Sequence, residues 1–448
     1  MKYKVFAGLL LLVFGTALSA KEIGETKPER EGLSSDRLSR ITDFMDEAVK
    51  RETMVGGMGL VARNGKVVYE TVYGMADREA GLPMTDDTIF RIYSMSKPVT
   101  SVALMMLYEE GKFHLNDPIH RYMPEFKGLQ VALSTGEGVV TSDGTAVSGV
   151  AASSKELEGK IRPVKKAPTV RDLLRHTAGF TYGIFGNTEV DRQYMQKIVP
   201  MMASNATLAD FTKTLATIPL QYEPGTQYHY SVSVDVQGRL IEVLSGMKFG
   251  DFLEERLFKP LGMTDTGFGL AESKQGRLAQ LYQPKGVTGL YSKPTGPGLE
   301  PAAGDSIVRY IENESLQSGG GGLLSTTRDY LRFCQMLLNG GELHGARILS
   351  PTTINLMTEN HLAALPQPGY PGFGFGLGFG IQTDPAVSAD SGSKGVYSWG
   401  GIAGTRFWID PIEQMIGIFM VQSVPHRTRL ASDFKNLVYQ AVTESYAD

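Results

Sequence analysis

The 448-residue chain has a single cysteine, Cys334, so an internal disulfide is excluded. Cys334 itself sits inside the amphipathic pattern Tyr330–Leu338 and reads as core packing. Seven histidines are scattered and no His-Glu-x-x-His spacing occurs, so no metal site is supported and no cofactor is expected. The elbow Gly-x-Ser-x-Gly is absent, which argues against the α/β-hydrolase fold. The glycine run Gly319–Gly322 lacks the Lys-Ser/Thr of a phosphate loop and reads as a backbone crossing near a cleft. Charge of one sign is not in excess: the net charge is −4 and no long like-charged run occurs, so nothing suggests a nucleic-acid surface. No internal repeat is visible.

What remains is ordinary globular composition, 42% hydrophobic and 21% charged, with length enough for a large core. Residues 1–20 read as a signal peptide. Lys2 and Lys4 precede an apolar run, Val5 to Leu18, and Ala17-Leu18-Ser19-Ala20 offers small residues for cleavage. That run is shorter than the roughly 20 residues of a spanning helix, and no cysteine follows it for lipid attachment. An uncleaved anchor is the less favoured alternative. The expectation is a periplasmic or secreted protein whose mature domain, residues 21–448, has no stable membrane span. The sequence carries no sign of an oligomeric state.

Periodicity then sets the architecture. Leu33 to Arg51 reads as an amphipathic helix capped by Ser34 or Ser35. Gly57–Arg63 and Lys66–Tyr73 alternate and are joined by Asn64-Gly65, a strong hairpin signal. Residues 128–160 are rich in small and polar residues and read as a surface insertion. Thr169–His176 predicts a capped helix; helical patterns recur at Leu208–Ala216, Ser233–Leu244 and Thr327–Leu338, and Gln283–Gly304 is loop-like. Phe375–Thr383, Val396–Trp399, Thr405–Ile409 and Met415–Gln422 read as strands, and about Leu430–Ser445 as a last helix. Strands open and close the chain. The economical packing is an α/β (α+β) fold. Both strand groups form one antiparallel sheet with terminal helices on a face, the middle forms a mainly helical lobe, and a cleft lies between.

Three segments could carry chemistry. In Ser94-Met95-Ser96-Lys97 a serine and a lysine lie one helical turn apart, ahead of a run, Val99 to Leu107, that is nearly all apolar. A buried helix start offers free amides and the positive end of a dipole, which favour an anion at Ser94. The plainer alternative is a core helix that Ser94 merely caps. Ser-x-x-Lys also occurs at Ser245/Lys248, Ser391/Lys394 and Ser432/Lys435, but only Ser94 opens a helix apolar on every side. Tyr230, in Tyr228-His229-Tyr230-Ser231-Val232-Ser233, precedes a helix and can reach an interlobe cleft or staple the helix end. Trp399-Gly400-Gly401-Ile402 lies between two strands, where glycines let a ligand approach the backbone, or form a tight turn. His176, in His-Thr-Ala-Gly, reads as structural more than as a triad member.

In this order, Ser94-Met95-Ser96-Lys97, Tyr230-Ser231-Val232 and Trp399-Gly400-Gly401 resemble the three active-site motifs of the serine β-lactamase and penicillin-binding-protein superfamily. The likeness is closest to the class C-like branch that includes family VIII carboxylesterases, and it covers about residues 33–445. The resemblance implies Ser94 as acylated nucleophile, Lys97 as holder of its proton network and Tyr230 as general base. It also implies an oxyanion hole from the Ser94 and Ile402 amides, an α/β lobe beside an all-α one, and no metal. Two positions depart from the pattern: Val232 stands where β-lactamases usually have Asn, and Trp399-Gly400-Gly401 where they usually have Lys-Thr-Gly. Loss of that lysine removes the cation suited to a substrate carboxylate, and tryptophan suits an apolar or aromatic group. The expected activity is therefore a carboxylesterase on short-chain or aryl esters with weak β-lactam turnover. His229 or Arg406 is the candidate for a replacement cation. The alternatives are a β-lactamase or D-Ala-D-Ala carboxypeptidase acting on an amide, and a penicillin- or peptide-binding protein without efficient turnover.

Overall fold

A computed structural model describes residues 22–133, 139–140, 146–147, 160–302, 316–365 and 370–447. The proposed signal peptide lies outside the described residues. Helix α1 (Ser35–Lys50) begins where the Ser34 side chain accepts a hydrogen bond from the Arg37 amide. It buries Leu38, Ile41, Met45 and Ala48, a stripe at helical spacing. Strands β1 (Gly56–Arg63) and β2 (Lys66–Asp77) follow, paired antiparallel. Asn64 and Gly65 both take positive φ, 51° and 71°, as a two-residue hairpin turn with the strands' own twist requires.

The sheet has eight strands, all antiparallel. The opening group is β1, β2 and β3 (Leu82–Pro83). The closing group is β4 (Phe373–Phe375), β5 (Gly380–Gln382), β6 (Tyr397–Gly400), β7 (Arg406–Asp410) and β8 (Met415–Val421). They lie in the order β4-β5-β6-β7-β8-β1-β2-β3. The two ends of the chain meet where β1 pairs with β8, from Gly57↔Val421 to Arg63↔Met415. One face, with Val61, Trp408 and Phe419, packs on α1 and on the last helix, Leu430–Tyr439. The other, with Leu60, Phe407, Ile409 and Ile418, packs on the helix Ser96–Glu109 and the main core.

That helix is buried from Ser96 to Leu107, as the nearly all-apolar run Val99 to Leu107 predicts. Ser233–Ser245 lies against it and ends at Gly246 in the left-handed conformation. Val170–Leu174, Glu189–Lys197 and Leu208–Leu215 each start in a capping box, Thr169/Asp172, Thr188/Asp191 and Thr207/Asp210.

The structure corrects three boundaries and adds detail to a fourth segment. Phe375–Thr383 is not one strand: the Gly376 amide bonds the Phe379 carbonyl and Gly378 has φ +101°, so the chain reverses and makes β4 and β5. Gln283–Gly304 is not wholly loop, because Tyr282–Pro284 pairs with Leu299–Pro301. The last helix stops at Tyr439, since the chain beyond it turns to bond the N-terminal segment, with Thr443 N–H on Gly32 O. The 128–160 insertion is entered and left by an antiparallel pair, Gln130–Ala132 with Ile161–Pro163, and 139–140 pairs with 146–147; its other residues beyond 133 and before 160 lie outside the described ones.

Candidate active site

Ser94 lies in a short 3-10 turn, Tyr93–Met95, so the α-helix starts two residues after it and not at it. The turn is entered through Tyr93 at φ +43°, a conformation a bulky residue rarely adopts and one that marks stored strain. It reverses the chain from the buried strand Phe90–Arg91 and leaves Ser94 half-buried. Ser96, two residues on, is buried and accepts the Leu323 amide at 3.1 Å, a structural bond. Lys97 is 2% exposed.

The three predicted side chains converge. Lys97 Nζ donates to Ser94 Oγ at 3.0 Å, and Tyr230 Oη donates to the same oxygen at 2.8 Å. Lys97 also donates to the Gly320 carbonyl at 2.5 Å and lies over the Tyr230 and Tyr182 rings, 4.6 and 5.3 Å from their centroids. Gly320 is itself anchored: its amide donates to Asp235 Oδ1 at 3.1 Å, which also accepts from Ser318 Oγ. Burial raises the Asp235 carboxyl above the ordinary range, opposed by the Ser318 hydrogen bond and the Lys97 charge. A Cβ on Gly320 would stand 2.8 Å from both Asp235 Oδ2 and Tyr182 Oη, so a side chain there must displace one or both of them. The glycine run thus crosses close to the site, as its composition suggested.

Trp399, at the end of β6, donates from Nε1 to Tyr230 Oη at 3.4 Å and packs edge-on against Phe375. Beyond it the chain turns back on itself. Gly401 N–H bonds Thr405 O, and a Cβ on Gly401 would stand 2.6 Å from the Ile92 carbonyl. The turn therefore runs against the segment that delivers Ser94. His426 N–H and Ser423 N–H hold the Ile402 and Ala403 carbonyls. Neither the Ser94 nor the Ile402 amide N–H has a hydrogen-bond partner among the described residues.

Other expectations resolve differently. His229 cannot supply a cation: burial drives it down to about 4, so it is neutral at pH 7. Nor can Arg406, which pairs with Gly400 and lies on the opposite sheet face from Trp399, towards Lys435. Val232 is fully buried in the core. His176 contacts Tyr228, Tyr230 and Phe375, and neither ring nitrogen bonds Ser94, so it is no triad base. Burial pushes the Cys334 thiol well up, which disfavours a thiolate. Ser245 and Ser391 bond Ile241 O and Asn436, not their own lysines, and Lys435 pairs with Asp390. Tyr182, Asp235 and the Gly320 carbonyl escaped the sequence reading. The available signal was Asp235 lying five residues after Tyr230, in a helix that faces the glycine run.

A half-buried serine bonded by both a lysine and a tyrosine, beside the end of β6, agrees with what similarity finds. The family model described as Beta-lactamase matches residues 41–440. The chain belongs to the beta-lactamase family. An uncharacterised protein of Mycobacterium tuberculosis is 34% identical over 83% of this chain and 86% of its own. Esterase EstB of Burkholderia gladioli is 27% identical over 83% of this chain and 87% of its own. Among solved structures, EstCE1, titled a hydrolase with promiscuous acyltransferase activity, superposes with a TM-score of 0.71 at 25% identity. It covers 90% of this chain and 99% of its own. The family and its esterase members make this protein a serine hydrolase. No helix among the described residues is long and apolar enough to cross a membrane.

Proposed function

We propose that the protein is an exported carboxylesterase, acting on short-chain or aryl esters through an acyl-enzyme at Ser94. The observation that carries the reading is Ser94 Oγ, half-buried, with Tyr230 Oη at 2.8 Å and Lys97 Nζ at 3.0 Å. In acylation Oγ attacks the ester carbonyl carbon. Tyr230 Oη, as the phenolate held beside the Lys97 ammonium, takes the Oγ proton as general base and returns it to the leaving alkoxide as the ester C–O bond breaks. Water then attacks the acyl carbon; the same phenolate takes one of its protons and restores it to Oγ. The carbonyl oxygen, negative in both tetrahedral intermediates, takes the Ser94 and Ile402 amides. Trp399, Gly400 and Gly401 bind substrate at the C-terminal end of β6.

Substrate preference follows from the walls. Tyr228, Tyr230, Phe375, Trp399, Tyr182 and Phe185 form linked ring contacts around the serine. With His229 neutral and Arg406 behind the sheet, neither offers a cation to a substrate carboxylate. A neutral, apolar ester suits these walls better than an anionic β-lactam or a D-Ala-D-Ala terminus. The paired assay compares p-nitrophenyl butyrate with a chromogenic cephalosporin, in the parent and in Ser94→Ala. The reading expects the ester to lead and both activities to vanish in the variant. A cephalosporin preference of about tenfold, roughly 1.4 kcal/mol of transition-state discrimination, would reverse it. Export is tested by sequencing the mature N-terminus, which should follow Ser19 or Ala20.

A further inference from the structure

His176 grips the backbone on both sides of Tyr230. Its carbonyl accepts the His229 amide at 2.8 Å, and its Nδ1 accepts the Ser231 amide at 3.3 Å. Its ring packs against the Tyr230 ring at 4.9 Å between centroids, and against Phe375 and Tyr228 beyond. To present carbonyl and ring to one short segment, His176 takes φ +55°, a conformation uncommon for a side-chain-bearing residue. The residue is 1% exposed. Burial, with the Lys97 charge second, holds its imidazole well below the ordinary range, so Nδ1 keeps the lone pair that the Ser231 amide needs.

We propose that His176 is a positioning residue for Tyr230. It brackets residues 229 and 231 and backs the tyrosine ring, and so fixes the phenol oxygen on Ser94 Oγ. The inference rests on the proposed role of Tyr230 in proton transfer. A phenol held only through its own torsions sweeps Oη over several ångströms, whereas proton transfer needs hydrogen-bond reach. The two amide bonds fix where the Tyr230 Cα sits, and the ring contact limits its side-chain torsions. His176 does not touch the reacting atoms.

The test is a double-mutant cycle read with p-nitrophenyl butyrate, with thermal midpoints recorded for every variant. His176→Phe keeps a flat ring and removes the Nδ1 acceptor. His176→Asn keeps an acceptor near Nδ1 and suits the left-handed backbone. The expected result is a fall in kcat of about thirtyfold for His176→Phe with KM within about twofold, and a loss under about fivefold for His176→Asn. In the Tyr230→Phe background, His176→Phe should lower the residual rate by no more than about twofold, because its effect passes through the tyrosine. A full additional loss in that background, or a parental kcat in folded His176→Phe, overturns the proposal. If His176→Phe does not fold, His176→Asn carries the same cycle, and its loss must vanish in the Tyr230→Phe background. Tyr230→Phe with parental activity would instead overturn the reading of the site itself.

Discussion

Gly401→Ala probes the proposed oxyanion turn without touching a reacting side chain. The new methyl would stand 2.4 Å from Thr405 Oγ1 and 2.6 Å from the Ile92 carbonyl oxygen. The hydroxyl can rotate away. The carbonyl cannot, because it belongs to the backbone that delivers Ser94 through the strained Tyr93. Ordinary contact begins at 3.4 Å, so turn and backbone must part by roughly 0.8 Å. Misplacement on the scale of 1 Å costs about 100-fold in rate. Losing one oxyanion donor costs about 100- to 1,000-fold, or ~2.7–4 kcal/mol. We therefore expect kcat on p-nitrophenyl butyrate to fall about 100-fold with KM within about threefold, since the donor acts on charge that develops after binding. Overpacking should cost ~1–3 kcal/mol of stability, read by urea unfolding, and the variant remains assayable. Gly267→Ala is the control, because no heavy atom lies within 4 Å of its Cβ position and its φ is not positive. A folded Gly401→Ala with parental kcat would refute the assignment of the Ile402 amide.

Trp399→Leu removes the Nε1 bond to Tyr230 and the ring packed on Phe375, and should lower kcat/KM for aryl esters about tenfold, more than for acetate esters of small alkyl alcohols. Arg63 is fully buried; it donates to Glu413 Oε2 and to the Glu31, Gly32, Glu413 and Glu444 carbonyls, tying both chain ends to β1. Arg63→Met strands the buried Glu413 charge and should cost ~3–5 kcal/mol in urea unfolding, with kcat at low temperature unchanged. Asp329 is buried, and its carboxyl is raised to about 6, chiefly by desolvation. Its folded value lies above the unfolded one, so the folded state holds the extra proton between about pH 4 and 6, and stability from this group is lost as pH rises through 6. Asp329→Asn can still accept from the Asp265 amide and Thr266 Oγ1. Its stability relative to the parent should rise by about 1–3 kcal/mol from pH 4 to pH 7, and a flat difference would contradict the burial argument.

Much of the fold was legible because local chemistry and global packing agree. Asn64-Gly65 supplied the two positive φ values of the first hairpin, and Ser34 and Thr169 capped the helices they precede. The apolar run after Lys97 marked the helix buried between sheet and helical lobe. The meeting of the Ser94, Lys97 and Tyr230 side chains was legible through their residue types and order. What failed was the reading of tertiary override. Gly376 and Gly378 look like strand residues until the reversal into β5 is seen. Arg406 was a candidate cation only while its strand face was unknown; pairing with Gly400 puts it behind the sheet. His229 has an ordinary sequence context, and burial alone removes its charge. Asp235 and Tyr182 meet Gly320 and Lys97 through contacts with residues distant in sequence, which no local pattern records.

The most direct measurement is peptide mapping of the protein after reaction with a fluorophosphonate. A hydroxyl primed by its two neighbours should yield one adduct, on the peptide that contains Ser94, and none in Ser94→Ala. An adduct that survives in Ser94→Ala, or active enzyme that takes no label, would contradict it.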